Sequence, residues 1–451
     1  MLRQAVFIIG MLLFVGPLGL SCDDDAANNQ NNINNVNNTN NTNNVNNTNN
    51  TNNVNNTNNV TGCTAPPKNF WNYDLTVMPP RNVEIPATCY GMGDNVYVYV
   101  ADDAWTDELV TQEMVDDVVA AWEDGDTVGG EGIYEKVTAV FGDPPDVDGD
   151  PRIIIFLTPL GSYNGTAFDG YFKRENQLPG ATSNMTEMVY IDCEHHAPNS
   201  SYLLGVLAHE FQHMIQYGID ATEEGWLDET FSQAAMNITG YWTDLPAANQ
   251  YLASHSDDTP LLVADSRYFS YGAGFIFSSY VLDRFGSEFF ADLSTDEADG
   301  IEAVNNARAV HDEDGGDFFD LILDWAAANH IRDCTVDSGK YCYISLGTTD
   351  LTASPAVVTG TLGSPTSLSL EVSSYGYVSY ALTSGQEVTI TVDAPTDTRI
   401  LGVYNGSQEY SVTPLPITGD TASFTAPAAD GELVLIVTRT SGTGSVSVTV
   451  Q

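Results

Sequence analysis

The stretch LLGVLAHEFQHMIQY, residues 203–217, is an apolar segment that carries two of the chain's 7 histidines. Its apolar residues recur at the three- and four-residue spacing of a buried helix. His209 and His213 are four positions apart, so on a helix their side chains project from the same side. Glu210 follows the first histidine. The segment predicts either a metal site on a buried helix or a buried helix with two histidines by chance.

The chemistry of this spacing favours the metal site. Two imidazoles one helical turn apart can both bind a tetrahedral ion at about 2.0–2.1 Å. Glu210 points away from the direction shared by the two histidines. It can therefore reach a metal-bound water without binding the metal, as in the HExxH arrangement of metalloproteases. A second helix is predicted from about Leu227, in the stretch GWLDETFSQAAM, residues 225–236. A carboxylate on it would complete the ligand set and leave a fourth position for water, as in catalytic zinc sites.

The third ligand must be chosen among four acidic residues that follow the first helix. Glu223 and Glu224 fall in the predicted connecting loop, where a ligand is poorly held. Asp228 and Glu229 are adjacent near the helix start, so their side chains point about 100° apart and only one can face the ion. Glu229 has the longer side chain and is the predicted ligand. We expect Asp228 to cap the helix or to accept a hydrogen bond from a ligand histidine.

Composition and charge restrict the class of protein. The 451 residues predict two or three folded units, and 42% hydrophobic residues allow a sizeable core. The formal net charge is -47, with 14 basic against 61 acidic residues. Nucleic acid is excluded as a partner, because phosphate binding needs clustered lysine and arginine. The acidic surface favours solubility.

The N-terminal region predicts export. Arg3 precedes the short apolar run at residues 5–20, which is typical of a signal peptide rather than a membrane span. Cys22 in LGLSC resembles the lipidated cysteine of bacterial lipoproteins, although Gly19 stands where leucine is usual. Simple secretion is the alternative. We expect a cell-surface or outer-membrane lipoprotein, or a secreted protein, attached to a membrane only through a lipid on Cys22. Residues 22–61 predict a disordered Asn/Thr-rich tether.

Five further cysteines agree with an oxidising compartment. Local disulfides Cys63–Cys89 and Cys334–Cys342 are consistent with export and leave Cys193 unpaired. The sequence alone does not fix this pairing.

Periodicity predicts the order of elements. Strands are predicted first and helices afterwards, an α+β unit. The strands are expected at residues 95–100, 152–160 and 187–193, and the helices at 106–125 (beginning with a Thr106 cap), 201–218, 227–240, 271–286 and 317–332. After about residue 345, short alternating runs separated by turn residues predict an all-β sandwich or jelly roll.

Three blocks resemble a known family: AHEFQHMIQY (208–217), WLDETFSQ (226–233) and YGAGFIFSSYVLDRFG (271–286). Together they are similar to the hyicolysin-type neutral zinc metallopeptidases of bacteria, which are glutamate-zincins. Two positions depart from the pattern: Asp228 stands where many relatives have asparagine, and Gln233 stands where thermolysin-like enzymes have an aspartate. The all-β region resembles the pre-peptidase C-terminal domains of secreted bacterial peptidases.

Four segments are therefore expected: a lipoprotein-type signal peptide at 1–21, the tether at 22–61, an α+β catalytic domain at 62–345 that the resemblance makes zincin-like, and the β-sandwich or jelly-roll domain at 346–451. We expect a monomeric zinc endopeptidase that acts on a protein or peptide substrate. A non-catalytic adhesive or binding lipoprotein with a relic zinc site is the alternative.

The resemblance also implies roles for individual residues. One zinc ion would be held by His209, His213 and Glu229, with Glu210 as the general base. Tyr271 is the candidate oxyanion donor, and a buried core tyrosine is the competing interpretation. His255 is a second candidate.

Two further stretches raise the question of other ions. DVDGDPR, residues 146–152, places Asp146, Asp148 and Asp150 at the alternate spacing of calcium loops, but Leu157 stands where an EF-hand needs glutamate. A plain turn is the alternative to calcium there. CEHH, residues 193–196, is compatible with a second metal site and equally with a solvated loop after a strand.

Overall fold

The computed structural model describes most of the chain after residue 61. The described residues are 14–15, 62–125, 130–254, 268–312, 315–347, 349–359, 366–371, 378–383, 387–393, 395–406, 410–425, 432–441 and 443–450. The predicted signal peptide, apart from residues 14–15, and the predicted tether lie outside them. None of the helices in these ranges has the length and apolar character needed to span a bilayer.

A six-stranded mixed sheet forms the first layer. Its order is β2-β3-β4-β5-β9-β8, and β4, β5 and β9 run parallel. The strands are β2 (Lys68–Asp74), β3 (Arg81–Met92), β4 (Val96–Ala101), β5 (Ile153–Leu157), β8 (Gly170–Phe172) and β9 (Met188–Ile191). A small sheet joins β1 (Phe14–Val15), β7 (Thr166–Phe168) and β6 (Ser162–Tyr163). All five residues of β5 are buried, as expected for a central parallel strand. The three predicted strands are confirmed as β4, β5 and β9.

Helices supply the rest of this part of the chain. They are α1 (Asp102–Thr106), α2 (Gln112–Glu123), α3 (Ile133–Phe141), α4 (Ser201–Ile219), α5 (Gly225–Thr239), α6 (Leu245–Ser254), α7 (Tyr268–Phe285), α8 (Ser287–Ser294), α9 (Gly300–His311) and α10 (Phe318–Ile331). Four of the predicted helices are confirmed as α4, α5, α7 and α10.

The helix predicted at 106–125 begins later than expected. Thr106 is the last residue of α1, and its hydroxyl donates to the Asp102 carbonyl. The helix cap is Thr111, whose Oγ1 accepts from the Met114 N–H at 3.3 Å. The prediction of a Thr106 cap was wrong because the stretch contains two threonines, and only the second directly precedes the continuous apolar face of α2.

Helix α4 lies at the centre of the fold, packed on β8, β9 and α5. Ser200 caps it by accepting from the Leu203 N–H at 3.3 Å. Every residue from 203 to 216 is buried, including both histidines and Glu210. Gly205 permits close approach of the chain after α5, because a Cβ there would lie 2.0 Å from Thr243 Oγ1. The side chains of α4 are therefore held in a packed environment.

The C-terminal part of the chain is β-rich. One sheet has the order β10-β12-β17-β14-β15 and the other β11-β18-β13-β16. Their strands are β10 (Val358–Thr359), β11 (Thr366–Glu371), β12 (Val378–Thr383), β13 (Glu387–Val392), β14 (Thr398–Asn405), β15 (Tyr410–Pro414), β16 (Thr421–Thr425), β17 (Glu432–Arg439) and β18 (Thr443–Val450). Residues of both sheets share one apolar cluster, so the two sheets pack on each other.

The junction between the two parts lies a little beyond residue 345. Leu351 is buried in the core of the helical part, and Arg332 donates to its carbonyl at 2.7 Å. The Ala356 N–H donates to the Leu252 carbonyl at 2.8 Å. On the other side, Arg399 of β14 forms an ion pair with Asp317 at 2.6 Å. Residues 346–347 and 349–356 therefore pack with the helices that precede them.

The cysteines form the two local pairs that were considered from the sequence. Disulfides join Cys63 to Cys89 and Cys334 to Cys342. Cys193 is free and buried, and burial raises the pKa of its thiol. A buried thiol with a raised pKa is a poor nucleophile, so Cys193 is a core residue.

Candidate metal centre

The structure brings His209, His213 and Glu229 together between α4 and α5. The two Nε2 atoms lie 3.1 Å apart. Glu229 Oε2 lies 3.4 Å from His209 Nε2, and Glu229 Oε1 lies 3.8 Å from His213 Nε2. The imidazoles are buried, and the Glu229 side chain is 12% exposed. The one-turn spacing on α4 and the position of Glu229 at the start of the second turn of α5 thus place three donor groups around one point.

The separations fit a metal ion. Tetrahedral ligands at about 2.0–2.1 Å from zinc are about 3.3 Å from each other. Neither oxygen of Glu229 accepts a hydrogen bond from any described residue, although both are buried. A buried carboxylate without donors is costly unless a cation compensates it. These residues can therefore hold a metal ion.

His213 is oriented by α5. Its Nδ1 lies 3.2 Å from Asp228 Oδ1 and 3.1 Å from Ser232 Oγ. Ser232 in turn donates to Gln212 at 2.7 Å. A proton on Nδ1, donated to Asp228, leaves the Nε2 lone pair directed at the cluster. Of the two roles expected for Asp228, the structure shows the hydrogen bond to a histidine, whereas Glu224 occupies the helix cap.

His209 has a different environment. Its Nδ1 is buried and has no hydrogen-bond partner among the described residues. Gln233 donates through Nε2 to Asp244 at 2.7 Å, and its Oε1 also lacks a partner among the described residues. Burial raises the pKa of Asp244 to about 7, although the Gln233 hydrogen bond opposes the rise. Nothing in the sequence indicated Asp244, which lies outside the three blocks of resemblance, and Ser232 was assigned no role although it lies within the block at 226–233.

Glu210 lies beside the ligand cluster and not within it. Its Oε2 accepts from the Phe172 N–H at 2.8 Å, and its Oε1 is buried without a partner among the described residues. It lines a cleft of about 120 Å³ together with Phe172, Arg174, His213, Tyr217, Asp220, Ala221, Glu223, Gly225 and Asp228. One carboxylate oxygen is therefore anchored to strand β8, and the other is free to take a proton.

Electrostatics in the centre favour a cation. Burial raises the pKa of Glu229 to about 8, and the His213 charge only partly offsets the rise. Burial also raises the pKa of Glu210 to about 7. Desolvation and the neighbouring His213 lower the pKa of His209 and keep it neutral. Desolvation would lower the pKa of His213 too, but the Asp228 carboxylate outweighs it and raises that pKa. A bound cation would stabilise the deprotonated state of all these groups.

Tyr271 belongs to the same neighbourhood. Its ring is buried, with its centroid 6.2 Å from that of His209. The structure therefore places Tyr271 against a ligand histidine, as a donor to the site would require, and also in the core, as the competing interpretation held. His255 lies outside the described residues.

The CEHH stretch is accounted for by loop structure. Asp192, which precedes it, accepts from the N–H groups of Leu160 (2.9 Å), Glu194 (3.0 Å) and His195 (2.7 Å). Asp192, Glu194 and His195 do approach one another closely enough to share an ion. Because the buried Asp192 already accepts several hydrogen bonds, the solvated-loop interpretation explains the arrangement.

The predicted calcium triad is wrong in one member. Asp150 is turned away to Tyr97, whose hydroxyl donates at 3.1 Å, and to Arg152, with which it forms an ion pair at 3.1 Å. Asp146 and Asp148 instead approach Glu187. The alternate spacing allowed three converging carboxylates, but Asp150 binds Arg152 and Tyr97 and does not join the other two. Glu187 is distant from Asp146 and Asp148 in sequence, and its place before a buried strand does not by itself indicate a metal ligand.

Comparisons with known proteins leave the family open. No family model matches the chain, and no curated protein matches it. Among solved structures, a pre-peptidase C-terminal domain of a Bacillus anthracis collagenase is 14% identical, with 21% of this chain and 95% of that chain covered and a TM-score of 0.18. Aeromonas hydrophila PliG, a periplasmic inhibitor of g-type lysozyme, is 16% identical over 21% of this chain and 96% of its own, at a TM-score of 0.17. Similarities this weak establish neither fold nor function.

Proposed function

We propose that this chain is a zinc-dependent endopeptidase. The observation that supports it best is the convergence of His209, His213 and Glu229 on one point, with Glu210 beside them at a cleft. Structural zinc sites have four protein ligands, whereas catalytic zinc sites have three and leave a position for water. Two histidines and one carboxylate match the catalytic type. The three sequence blocks similar to the glutamate-zincins agree with this assignment.

Zinc bound by this ligand set would lower the pKa of a water molecule and polarise a carbonyl group. Asp228 and Ser232 hold His213 by its Nδ1, so its Nε2 would be available to the ion. Glu229 would supply the third ligand from α5. The packed surroundings of α4 hold these groups in place before substrate arrives.

Glu210 is the proton carrier. Its free oxygen accepts the proton of the attacking water as the water oxygen bonds to the peptide carbonyl carbon. It then returns that proton to the leaving nitrogen as the carbon–nitrogen bond breaks. Burial favours the protonated form of Glu210 and a nearby cation would favour the ionised form, so the group can both accept and donate a proton. The Phe172 N–H holds the other oxygen, so the carboxylate keeps its orientation throughout.

The proposal is tested by metal content and cleavage together. The purified 62–451 chain should contain one zinc per molecule and cleave an unstructured protein. Chelator should abolish cleavage, and added zinc should restore it. One zinc without any cleavage of unstructured proteins or peptides would instead indicate a binding protein with a relic site, and the absence of zinc would contradict both interpretations.

We further propose that the mature protein begins at Cys22 and is held to a membrane by lipid. The two disulfides are consistent with export. The expected result is that the protein partitions with membranes and that mass spectrometry of its N-terminal peptide shows a diacyl- or triacyl-modified Cys22. Cys22→Ser should release the protein to the soluble fraction. An unmodified N-terminus at another residue would contradict the lipid anchor and leave simple secretion.

A further inference from the structure

Glu187 is a buried carboxylate with an uncompensated oxygen, remote from the candidate metal centre. It directly precedes β9 and is 1% exposed. Its Oε1 accepts from the Val147 N–H, but its Oε2 is buried and has no hydrogen-bond partner among the described residues. Burial raises its pKa, which the Val147 hydrogen bond opposes. Such a group needs either a proton or a cation.

Two more carboxylates converge on Glu187. Asp146 and Asp148 lie in the loop before β5, and the three side chains place ligand atoms within 4.8 Å of one another. Asp146 Oδ1 accepts from the Gly149 N–H at 2.8 Å, and Asp148 Oδ1 accepts from the Asp150 N–H at 2.9 Å. These turns shape the loop so that its acidic side chains stand on the side of Glu187.

In the described part of the chain, none of the three carboxylates forms an ion pair with lysine, arginine or histidine. Arg152, which is close in sequence, pairs with Asp150 instead. Three formal negative charges therefore face one another, with one backbone N–H donor to each of them.

We propose that Asp146, Asp148 and Glu187 bind a calcium ion. Calcium takes about six to eight oxygen ligands at about 2.3–2.6 Å in variable arrangements. Magnesium demands a near-ideal octahedron at about 2.0–2.1 Å and usually keeps several waters, so one or two carboxylates suffice for it. Three carboxylates from a loop and a strand edge suit calcium, with water in the remaining positions.

The ion would fasten the loop that supports helix α4. Pro145, next to Asp146, lies against Gly218 in the last turn of α4, where an added Cβ would come within 3.2 Å of the proline ring. Glu187 fixes the other side of the ion to β9, a strand of the central sheet. Calcium would therefore hold the loop to the sheet and brace the end of the helix that carries His209 and His213. This inference is independent of the proposed peptidase activity.

The test is calcium binding to the full chain after removal of divalent ions, measured by calorimetry in about 0.15 M salt to suppress diffuse binding to acidic surface. One saturable site is expected, with magnesium binding at least tenfold more weakly. At a calcium concentration of about 100 times Kd, the melting temperature should rise by about 5 °C. A chain with no saturable calcium site, or one that binds magnesium as tightly, would overturn the proposal.

Matched variants locate the site. Asp148→Asn changes an exposed residue and should weaken calcium binding at least tenfold without affecting the fold. Glu187→Gln should do the same, and without calcium it should melt no lower than the parent because it removes a buried charge. Asp150→Asn is the control and should bind calcium like the parent. If Asp150→Asn loses calcium binding and Glu187→Gln retains it, the ligands are the three aspartates of the loop and the proposed role of Glu187 is wrong.

Discussion

Glu210→Gln should lower peptide hydrolysis by about 10²- to 10⁴-fold, the range that a positioned general base supplies, while zinc content stays at one per chain. Glutamine has nearly the same shape, and its amide oxygen can still accept from the Phe172 N–H, so the backbone around β8 should not move. What it lacks is a group that takes a proton. The measurement is initial cleavage rate of a fluorogenic peptide beside zinc content by atomic emission.

A matched control is available on the same helix. Gln216 is buried one and a half turns further along and donates to the Ser294 carbonyl at 3.3 Å, away from the ligand cluster. Gln216→Ala truncates a buried polar side chain on the same helix and should leave the cleavage rate per folded chain within a few-fold of the parent. If Glu210→Gln cleaves as fast as the parent, Glu210 is not the base and the proposed mechanism fails.

The Glu210 and Asp148 experiments are separable from each other. Loss of calcium binding in Asp148→Asn concerns the loop before β5 and does not require any peptidase activity. Zinc binding without cleavage would leave the calcium inference intact. Calcium binding without zinc binding would support the calcium site and contradict the proposed peptidase.

The helix with the two histidines was predictable because its information is local. Helical periodicity buries the segment, and the spacing of His209 and His213 within it forces them onto one side. Strand β5 was equally clear, since five consecutive apolar residues can only be a buried element. The start of α2 was misassigned because two threonines compete for the cap and propensity does not rank them.

Contacts between distant segments could not be predicted from the sequence. Glu187 joins Asp146 and Asp148 only because β9 lies beside β5 in the sheet. Asp150 leaves that group because Tyr97 stands on the neighbouring strand β4. Likewise, the pairing of Gln233 with the buried Asp244 depends on the turn after α5. Each depends on tertiary packing, which local patterns do not encode.

Two adjacent carboxylates on α5 should differ sharply in their contribution to zinc binding. Glu229 has no hydrogen-bond donor among the described residues, and its oxygens lie 3.4 and 3.8 Å from the two imidazoles. Asp228 instead accepts from His213 Nδ1. Glu229→Ala should therefore weaken zinc binding by more than about 100-fold, since even loss of an outer partner of a ligand costs about 10- to 100-fold.

Asp228→Asn is the paired variant that makes this ranking informative. Asparagine keeps an oxygen that accepts from the His213 Nδ1–H, and Ser232 still contacts the same nitrogen at 3.1 Å. We expect its zinc affinity to stay within about tenfold of the parent, with much of the activity retained. Competition titration against a chromophoric chelator measures both variants, and circular dichroism confirms that each is folded. The reverse order, with Asp228→Asn losing zinc and Glu229→Ala keeping it, would assign the third ligand to Asp228 and contradict the glutamate-zincin interpretation.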